Sequence, residues 1–143
     1  MKYLILVGTG GFAREILWLA REINRASENP GHRDPLYRIL GFVTEELDDA
    51  REYGGLPILG DDEWVFEHLE RNVLFVPAVG APELRQKIAA KYMGQQFRPA
   101  TLVHPSVHMA EDVQIGQGSL VCAGANVTTN IVLGDYSVVN LNA

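Results

Sequence analysis

The sequence predicts an α/β protein in which a doubly wound parallel sheet, over residues 1–99, precedes the first coils of a β-helix, over residues 100–143. Apolar strand-like runs alternate with amphipathic helical segments in the first part. A glycine-rich turn follows the first of these runs. From Val103 onward the chain keeps one six-residue register, which fits neither a helix nor a simple strand alternation and therefore indicates a repeat architecture.

The first unit is a buried strand, a glycine turn and a helix. Residues 3–7 (YLILV) form a continuous apolar run, as buried parallel strands do. Residues 8–13 (GTGGFA) match the G-x-G-x-x-A turn, in which bare backbone lets a phosphate approach the amides at a helix N-terminus. The helix that follows carries an apolar stripe of Ile16, Leu17, Leu19, Ala20 and Ile23. The alternative interpretation is a tight turn that binds no ligand.

Two further strands and two helices are predicted before residue 99. Residues 38–43 read as a second strand, and residues 56–60 as a short apolar segment. Asp61 or Asp62 can cap a helix that runs to about Leu69. In the strand at residues 73–79, Pro77 indicates either an edge position or the strand end. A last helix runs from Pro82 to Gly94, with a predicted buried stripe of Leu84, Ile88, Ala89 and Tyr92.

These strands predict a binding crevice. Ligands of doubly wound sheets sit at the carboxyl ends of the strands, which brings the glycine turn, Thr44 with Glu45, and Gly80 to one edge. A dinucleotide would need an acidic residue for its ribose, and Glu45 lies further from the glycines than the usual spacing of roughly 20 residues. A mononucleotide diphosphate fits this small domain, with its single phosphate turn, at least as well.

The repeat predicts a β-helix in which each hexad forms one short flat side, and three sides complete one triangular coil. Its first position is apolar in every hexad, namely Val103, Met109, Ile115, Val121, Val127, Leu133 and Val139. We expect the first position to face the interior, and the fifth position, which is small or aliphatic, to fit where the wall bends. We expect tight bends at the second position, where Gly116 and Gly134 stand, and corners at Asn126, Asn130 and Asn140. Residues 103–143 make just under seven hexads, or a little over two coils, so we expect the β-helix to be incomplete.

Composition narrows the function classes. The net charge is -6, and all 12 Lys and Arg lie between Lys2 and Arg98, so the repeat has no electrostatic footprint for nucleic acid. No apolar run reaches the roughly 18 residues of a membrane span. The single cysteine, Cys122, excludes an internal disulfide, fits a cytoplasmic protein and is expected to serve packing.

The histidines do not predict a metal site or a catalytic base. His32 and His68 are expected to be solvated, His104 to make a structural hydrogen bond, and His108 to face outward. A γ-type carbonic anhydrase needs three zinc-binding histidines on neighbouring coils, whereas His104 and His108 share one coil. We therefore expect no metal. An NAD-linked oxidoreductase would rest on the glycine turn alone and would leave the β-helix without a role.

The sequence resembles the sugar O-/N-acyltransferases, a family that includes the sialic acid O-acetyltransferases and the bacillosamine-pathway N-acetyltransferases. The matching segments are VGTGGFAREI, GFVTEE, GLPILGDDE, VGAPELRQKIAAKY, LVHPSVHMAEDVQIGQGSLVCAGANV and VVNLNA, which cover essentially the whole chain. The resemblance implies a Rossmann-like domain that binds a nucleotide-linked sugar, of the UDP-sugar or CMP-sialate type. It also implies a left-handed β-helix that forms a homotrimer and binds acetyl-CoA between subunits.

Residue by residue, the resemblance places the nucleotide-sugar contacts on Gly10, Gly11 and Phe12, on Thr44 and Glu45, and on Gly80. Many members have Asp-Asp where this chain has Thr44-Glu45, so its hydrogen bonds to the base are expected to differ. Members also carry their general-base histidine in a hexad a few residues beyond the position of Ala143.

The sequence thus predicts the N-terminal portion of an acetyl-CoA-dependent sugar acyltransferase. We expect residues 1–143 to bind sugar nucleotide, to lack catalytic residues, to hold little of the acetyl-CoA site and to be inactive alone. The alternative is a non-catalytic module for nucleotide-sugar binding and trimerisation.

Overall fold

Strands and helices alternate through the first part of the chain. The computed structural model describes residues 1–28, 31, 34–46, 52–141 and 143. In order, its elements up to residue 99 are β1 (Lys2–Val7), α1 (Gly11–Ala26), β2 (Tyr37–Val43), β3 (Glu52–Tyr53), β4 (Leu56–Gly60), α2 (Asp62–His68), β5 (Leu74–Pro77), α3 (Pro82–Gly94) and β6 (Arg98–Pro99). His32, which we expected to be solvated, lies outside the described residues.

The strands form one sheet in the order β3-β4-β2-β1-β5-β6. All pairings are parallel except the one between β3 and β4. Because β1 lies in the interior, Leu4, Ile5 and Leu6 are fully buried, as the continuous apolar run predicts. Of the two alternatives for Pro77, the second holds, since β5 pairs with β1 and β6 and ends at this residue.

Helices cover both faces of the sheet. The predicted stripe of α1 is confirmed, because Ile16, Leu17, Leu19, Ala20 and Ile23 are all buried and pack with Leu4 and Leu6. On the other face, Val65 of α2 and Ala89 and Tyr92 of α3 pack with Ile5 and Phe75. Within the described residues, every helix is too short or too polar to cross a membrane.

Seven two-residue strands follow: β7 (Leu102–Val103), β8 (His108–Met109), β9 (Gln114–Ile115), β10 (Leu120–Val121), β11 (Asn126–Val127), β12 (Val132–Leu133) and β13 (Val138–Val139). They form three parallel ladders, β13-β10-β7, β11-β8 and β12-β9. Leu120 pairs with Leu102 and with Val138, so each coil contains 18 residues, or three hexads. The predicted fold class, a parallel α/β sheet followed by the first coils of a β-helix, is confirmed; the left hand of the coil stays a prediction.

The interior of the coil follows the hexad register except at Met109 and at Ala143, which is exposed. Val121, Ala125 and Val127 of the middle coil are buried, and the other first- and fifth-position aliphatic residues pack around them. At Met109, 43% of the surface is exposed. This residue lies on the first coil, which has a neighbouring coil on one side of the ladder only.

The bends of the coil lie at the fourth hexad position, and our expectation of the second position was wrong. Positive φ angles recur every six residues at Gly118, Gly124, Asn130 and Tyr136. Of the three asparagines expected at corners, Asn130 occupies a bend, whereas Asn126 lies in β11 and neither Asn126 nor Asn140 has a positive φ. Gly116 serves another purpose, since a Cβ there would lie 2.5 Å from the backbone nitrogen of Asp135. This glycine permits close contact between stacked coils.

The sheet and the coil share one hydrophobic core. Leu102, Leu120 and Cys122 of the coil belong to the same buried cluster as Leu4 of β1 and Ile16 of α1. Tyr136 makes a second connection, because its hydroxyl donates to Met93 Sδ at 2.8 Å. The division into domains at residues 99 and 100 stays a prediction.

Candidate functional site

A cleft of about 610 Å³ opens at the carboxyl edge of the sheet. Its walls are the turn after β1, the residues after β2, Val79 after β5, Asp62 of α2 and one side of α3. Parallel strands place their carboxyl ends at one edge, which is the usual ligand site of such sheets. The position of the cleft therefore agrees with the crevice expected from sequence.

The glycines of the first turn differ in what they do. Gly8 has φ +129°, and a Cβ there would lie 2.7 Å from the carbonyl oxygen of Ala78, so the approach of β1 to β5 requires glycine. Around Gly10, Gly11 and Gly80 there is open space, with nothing within 4 Å of an added Cβ. Packing within the described chain therefore gives no reason for glycine at those three positions, which leaves room for a ligand to approach the backbone.

The N-terminus of α1 is available to an anion. Gly10 is its N-cap and supplies no side-chain hydrogen bond, and the first turn contains no acidic residue. Free amides at a helix start, together with the positive end of the helix dipole, favour a phosphate. The predicted glycine turn thus has the geometry that phosphate binding needs.

Three of the six residues predicted to bind ligand lie on the wall of the cleft, namely Gly10, Thr44 and Glu45. Gly11 begins α1 directly after Gly10. Phe12 is half-buried against the core, and the guanidinium of Arg85 lies 5.9 Å from its ring centre. The carbonyl oxygen of Gly80 accepts a hydrogen bond of 2.8 Å from Arg85 Nη1. Arg85 therefore links Phe12 and Gly80 beside the cleft, and contact of either with ligand stays a prediction.

A carboxylate that the sequence prediction missed lies at the centre of the cleft's polar wall. Asp62 is buried; its Oδ2 accepts from Lys91 Nζ at 2.8 Å and its Oδ1 from the Tyr92 hydroxyl at 2.6 Å. Its own backbone N–H donates to Glu45 Oε1 at 3.1 Å. Asp61 is the N-cap of α2, with its carboxylate accepting from the Trp64 N–H. Of the two aspartates proposed as caps, Asp61 caps the helix and Asp62 organises the cleft.

The pKa values of the two acids in this network, Asp62 and Glu45, are shifted in opposite directions. Burial works to raise the pKa of Asp62, but the hydrogen bonds from Lys91, Tyr92 and Glu45 outweigh it and hold the pKa below its ordinary value. The hydrogen bond with the Asp62 side chain raises the pKa of Glu45. The pair therefore keeps its negative charge on Asp62, and Glu45 is the first of the two to take a proton.

One side of α3 faces the cleft, which corrects the predicted buried stripe. Leu84, Lys87, Ile88 and Lys91 line the cleft, at helical spacings of three and four residues. Leu84 is 45% exposed. The buried side of the helix consists of Arg85, Ala89 and Tyr92, so only the latter two members of the predicted stripe belong to the core.

The described histidines occupy structural or surface positions. His104 Nδ1 accepts from the backbone N–H of Ser106 at 3.0 Å, and its ring stacks on Trp18. His108 and His68 are exposed, and the ring of His68 stacks on Trp64. Among the residues that the structure describes, no three His, Cys, Asp or Glu side chains cluster closely enough to hold a metal ion.

Residues 100–143 do not fit the phosphates of coenzyme A. This stretch contains no Lys or Arg, and its acidic residues are Glu111, Asp112 and Asp135. Two of these carboxylates serve the coil, where Asp112 Oδ2 accepts from the Asn130 N–H and Asp135 Oδ1 from the Gln117 N–H. We therefore derive no coenzyme A contact from these residues.

The fold defines a class of protein in which a mostly parallel, Rossmann-like sheet leads into a β-helix. Residues 3–92 match the family described as the PglD N-terminal domain, and the chain belongs to this family. No curated protein sequence matches the chain.

Solved structures of acetyltransferases resemble the chain along almost its full length. The acetyltransferase domain of PglB from Neisseria gonorrhoeae, in complex with acetyl coenzyme A, is 26% identical with a TM-score of 0.76; the match covers 99% of this chain and 62% of that one. A histidine mutant of perosamine N-acetyltransferase from Caulobacter crescentus, in complex with CoA and GDP-perosamine, is 24% identical with a TM-score of 0.80, over 99% and 61%. The chain thus spans about three fifths of the length of these proteins.

Proposed function

We propose that the cleft binds a nucleotide-linked sugar and that the chain is the N-terminal portion of an acetyl-CoA-dependent sugar acyltransferase. The observation that carries this proposal is the start of α1, which has no side-chain cap. Open space surrounds Gly10 and Gly11 at this helix start, and Gly10 lines the same cleft as Thr44 and Glu45. Membership of the PglD N-terminal domain family supports it.

The cleft offers different chemistry at its two ends. At the glycine turn, backbone N–H groups can donate to a diphosphate. At the end of β2, Glu45 and Glu46 are exposed and can accept hydrogen bonds from ribose hydroxyls or from N–H groups of a base. This arrangement favours a nucleoside diphosphate with its base near Glu45. The neighbouring protein from Caulobacter crescentus was solved with GDP-perosamine, so guanosine belongs beside uridine and cytidine among the candidates.

Acyl transfer needs a proton acceptor beside the sugar. The attacking hydroxyl or amine forms the new bond to the acetyl carbonyl, the thiol of coenzyme A leaves, and a base removes the proton of the attacking group. His104 is an unsuitable base because its Nδ1 already accepts the Ser106 N–H. His108 makes no described contact with a carboxylate. We therefore propose that residues 1–143 alone bind nucleotide sugar without transferring an acetyl group.

The alternative function, a non-catalytic module for nucleotide-sugar binding and trimerisation, rests on that same observation about the histidines. Comparing acetyl transfer by these residues with transfer by a chain that continues into further coils separates the two functions. The homotrimer implied by the family resemblance stays a prediction, which sedimentation equilibrium tests directly.

Calorimetric titration of the 143-residue chain tests the proposal. UDP, GDP, CMP and acetyl-CoA are titrated separately, and Gly10→Val serves as a control that places a branched side chain in the open space over the turn. We expect a nucleotide to bind the wild type and not the variant, and acetyl-CoA not to bind. Failure of every nucleotide to bind would contradict the proposed site, and normal acetyl-transfer turnover would contradict the proposed inactivity.

A further inference from the structure

The side of α3 that faces the cleft is a mixed apolar and cationic surface. Leu84 and Ile88 alternate along it with Lys87 and Lys91, so that the two lysines lie one helical turn apart. Two of the three lysines of this acidic protein therefore line the same cleft.

The two lysines have different environments. Lys91 is held by Asp62 at 2.8 Å, and the neighbouring carboxylates raise its pKa, so its charge is compensated within the protein. Lys87 is exposed, and no described carboxylate lies within ion-pair distance of it. Lys87 is therefore the cleft lysine whose charge is available to a ligand.

The distribution of charge determines where in the cleft an anion can lie. Glu45 and Glu46 follow β2, and the Asp62 carboxylate lies beside them, so this end repels phosphate. The glycine turn on the wall of the same cleft carries the positive end of α1, whose dipole is equivalent to roughly half an elementary charge. A diphosphate carries more negative charge than that, and Lys87 of α3 lines the same cleft and supplies a further cation.

We propose that Lys87 binds the phosphate groups of the ligand in this cleft together with the N-terminus of α1, whereas Lys91 positions Asp62. This assignment rests on the proposed function, because it requires that the ligand is a nucleoside diphosphate or its sugar derivative. Lys87 donates from its ammonium group to phosphate oxygens, and the contact strengthens as the ionic strength falls.

Binding of a nucleoside diphosphate and its parent nucleoside to three lysine variants tests the assignment. Lys87→Met removes the charge and keeps much of the side-chain length, while Lys87→Arg keeps the charge. Lys2→Met is the matched control, because Lys2 lies at the opposite edge of the sheet and lines a separate cavity with Arg71 and Arg98. Each variant is titrated with whichever of the diphosphates UDP, GDP and CDP binds most tightly to the wild type, and with the matching nucleoside, at two salt concentrations.

We expect Lys87→Met to weaken binding of the phosphorylated ligand roughly tenfold, since a charge-assisted hydrogen bond is lost, and to leave nucleoside binding unchanged. Lys87→Arg should retain most of the affinity, and Lys2→Met all of it. The salt dependence of binding should be smaller in Lys87→Met than in the wild type. Wild-type affinity in Lys87→Met, or an equal loss for nucleoside and nucleotide, would overturn the assignment while leaving the nucleotide site in place. Absence of nucleotide binding in the wild type would overturn the proposed function itself.

Discussion

Lys91 Nζ lies 2.8 Å from Asp62 Oδ2 and so joins the second half of α3 to the first residue of α2. The lysine side chain is 53% exposed, whereas the aspartate side chain is 8% exposed. Solvent therefore screens the lysine while the carboxylate depends on its protein partners. Replacement of Asp62 should therefore lower the stability of the fold more than replacement of Lys91.

Asp62→Asn should lower stability and should flatten its dependence on acid. The folded state holds the pKa of Asp62 below its ordinary value, so it binds this proton more weakly than the unfolded chain does. The stability contributed by Asp62 is complete above about pH 4 and is lost as the pH falls through the folded pKa. We expect a loss of about 1–2 kcal/mol at pH 7, which shrinks toward pH 3.

Urea unfolding of wild type and Asp62→Asn from pH 3 to pH 7 measures this effect. Glu67→Gln is the control, because Glu67 is exposed on the same helix and makes no described ion pair. If the stability of wild type and of Asp62→Asn changed with pH in parallel, Asp62 would not be the residue responsible for the loss of stability in acid.

Gly8→Ala and Gly10→Ala should distinguish a glycine that the fold needs for stability from a glycine that the cleft needs for nucleotide binding. Alanine at Gly8 would be strained by the positive φ and would clash with the Ala78 carbonyl, so we expect a loss of about 2–3 kcal/mol of stability. Alanine at Gly10 meets open space at an ordinary φ of -77°, so stability should change little while nucleotide affinity falls. Thermal unfolding and calorimetric titration give the two readouts. A stable Gly8→Ala would contradict the close approach of β1 to β5.

Gly116→Ala and Gly134→Ala test the packing of the coils at equivalent hexad positions. A Cβ at Gly116 would lie 2.5 Å from the Asp135 nitrogen, whereas at Gly134 the nearest atom is 3.9 Å away. We expect Gly116→Ala to cost about 1–3 kcal/mol and Gly134→Ala to stay within about 0.5 kcal/mol. Denaturant midpoints measure both variants. Equal costs would favour the bend at the second position that the sequence alone suggested.

Cys122 should react slowly with thiol reagents in the folded protein. Burial raises the pKa of its thiol, and the charge of Glu15 adds to that effect, so the reactive thiolate forms at higher pH than in a free cysteine. Colorimetric disulfide exchange at pH 8, with and without urea, measures the difference, and a chain with one cysteine gives a single signal. We expect at least tenfold faster modification after unfolding. Similar rates in the two states would show that Cys122 is accessible.

Regularity in the sequence carried the fold prediction. A period of six, taken three at a time, gave the 18-residue offset that pairs Leu102 with Leu120. The stripe of α1 was equally readable, because that helix has one solvent side and one core side. The bends of the coil were misplaced, since glycine marks close packing at Gly116 but a left-handed backbone at Gly118.

The cleft was harder to predict because its residues come from separate elements. Asp62 and Lys91 are 29 residues apart, and nothing in the local pattern of either names the other as its partner. Lys87 and Lys91 did carry a signal, namely two cations four residues apart on one helix face beside apolar residues assigned to the core. An apolar side chain at a ligand cavity and one in the core look alike in a single sequence. The exposure of Leu84 resolves that ambiguity only in three dimensions.

The core that runs from Leu4 through Ile16 to Leu120 has a consequence for engineering. A recombinant chimaera that grafts another sheet onto this coil would have to supply matching side chains along the whole contact, because Leu102 and Cys122 belong to the same core cluster as Leu4 and Ile16. Under the proposed function, an exchange of ligand specificity should therefore be sought by transplanting the loops around the cleft rather than by joining two chains at residue 99.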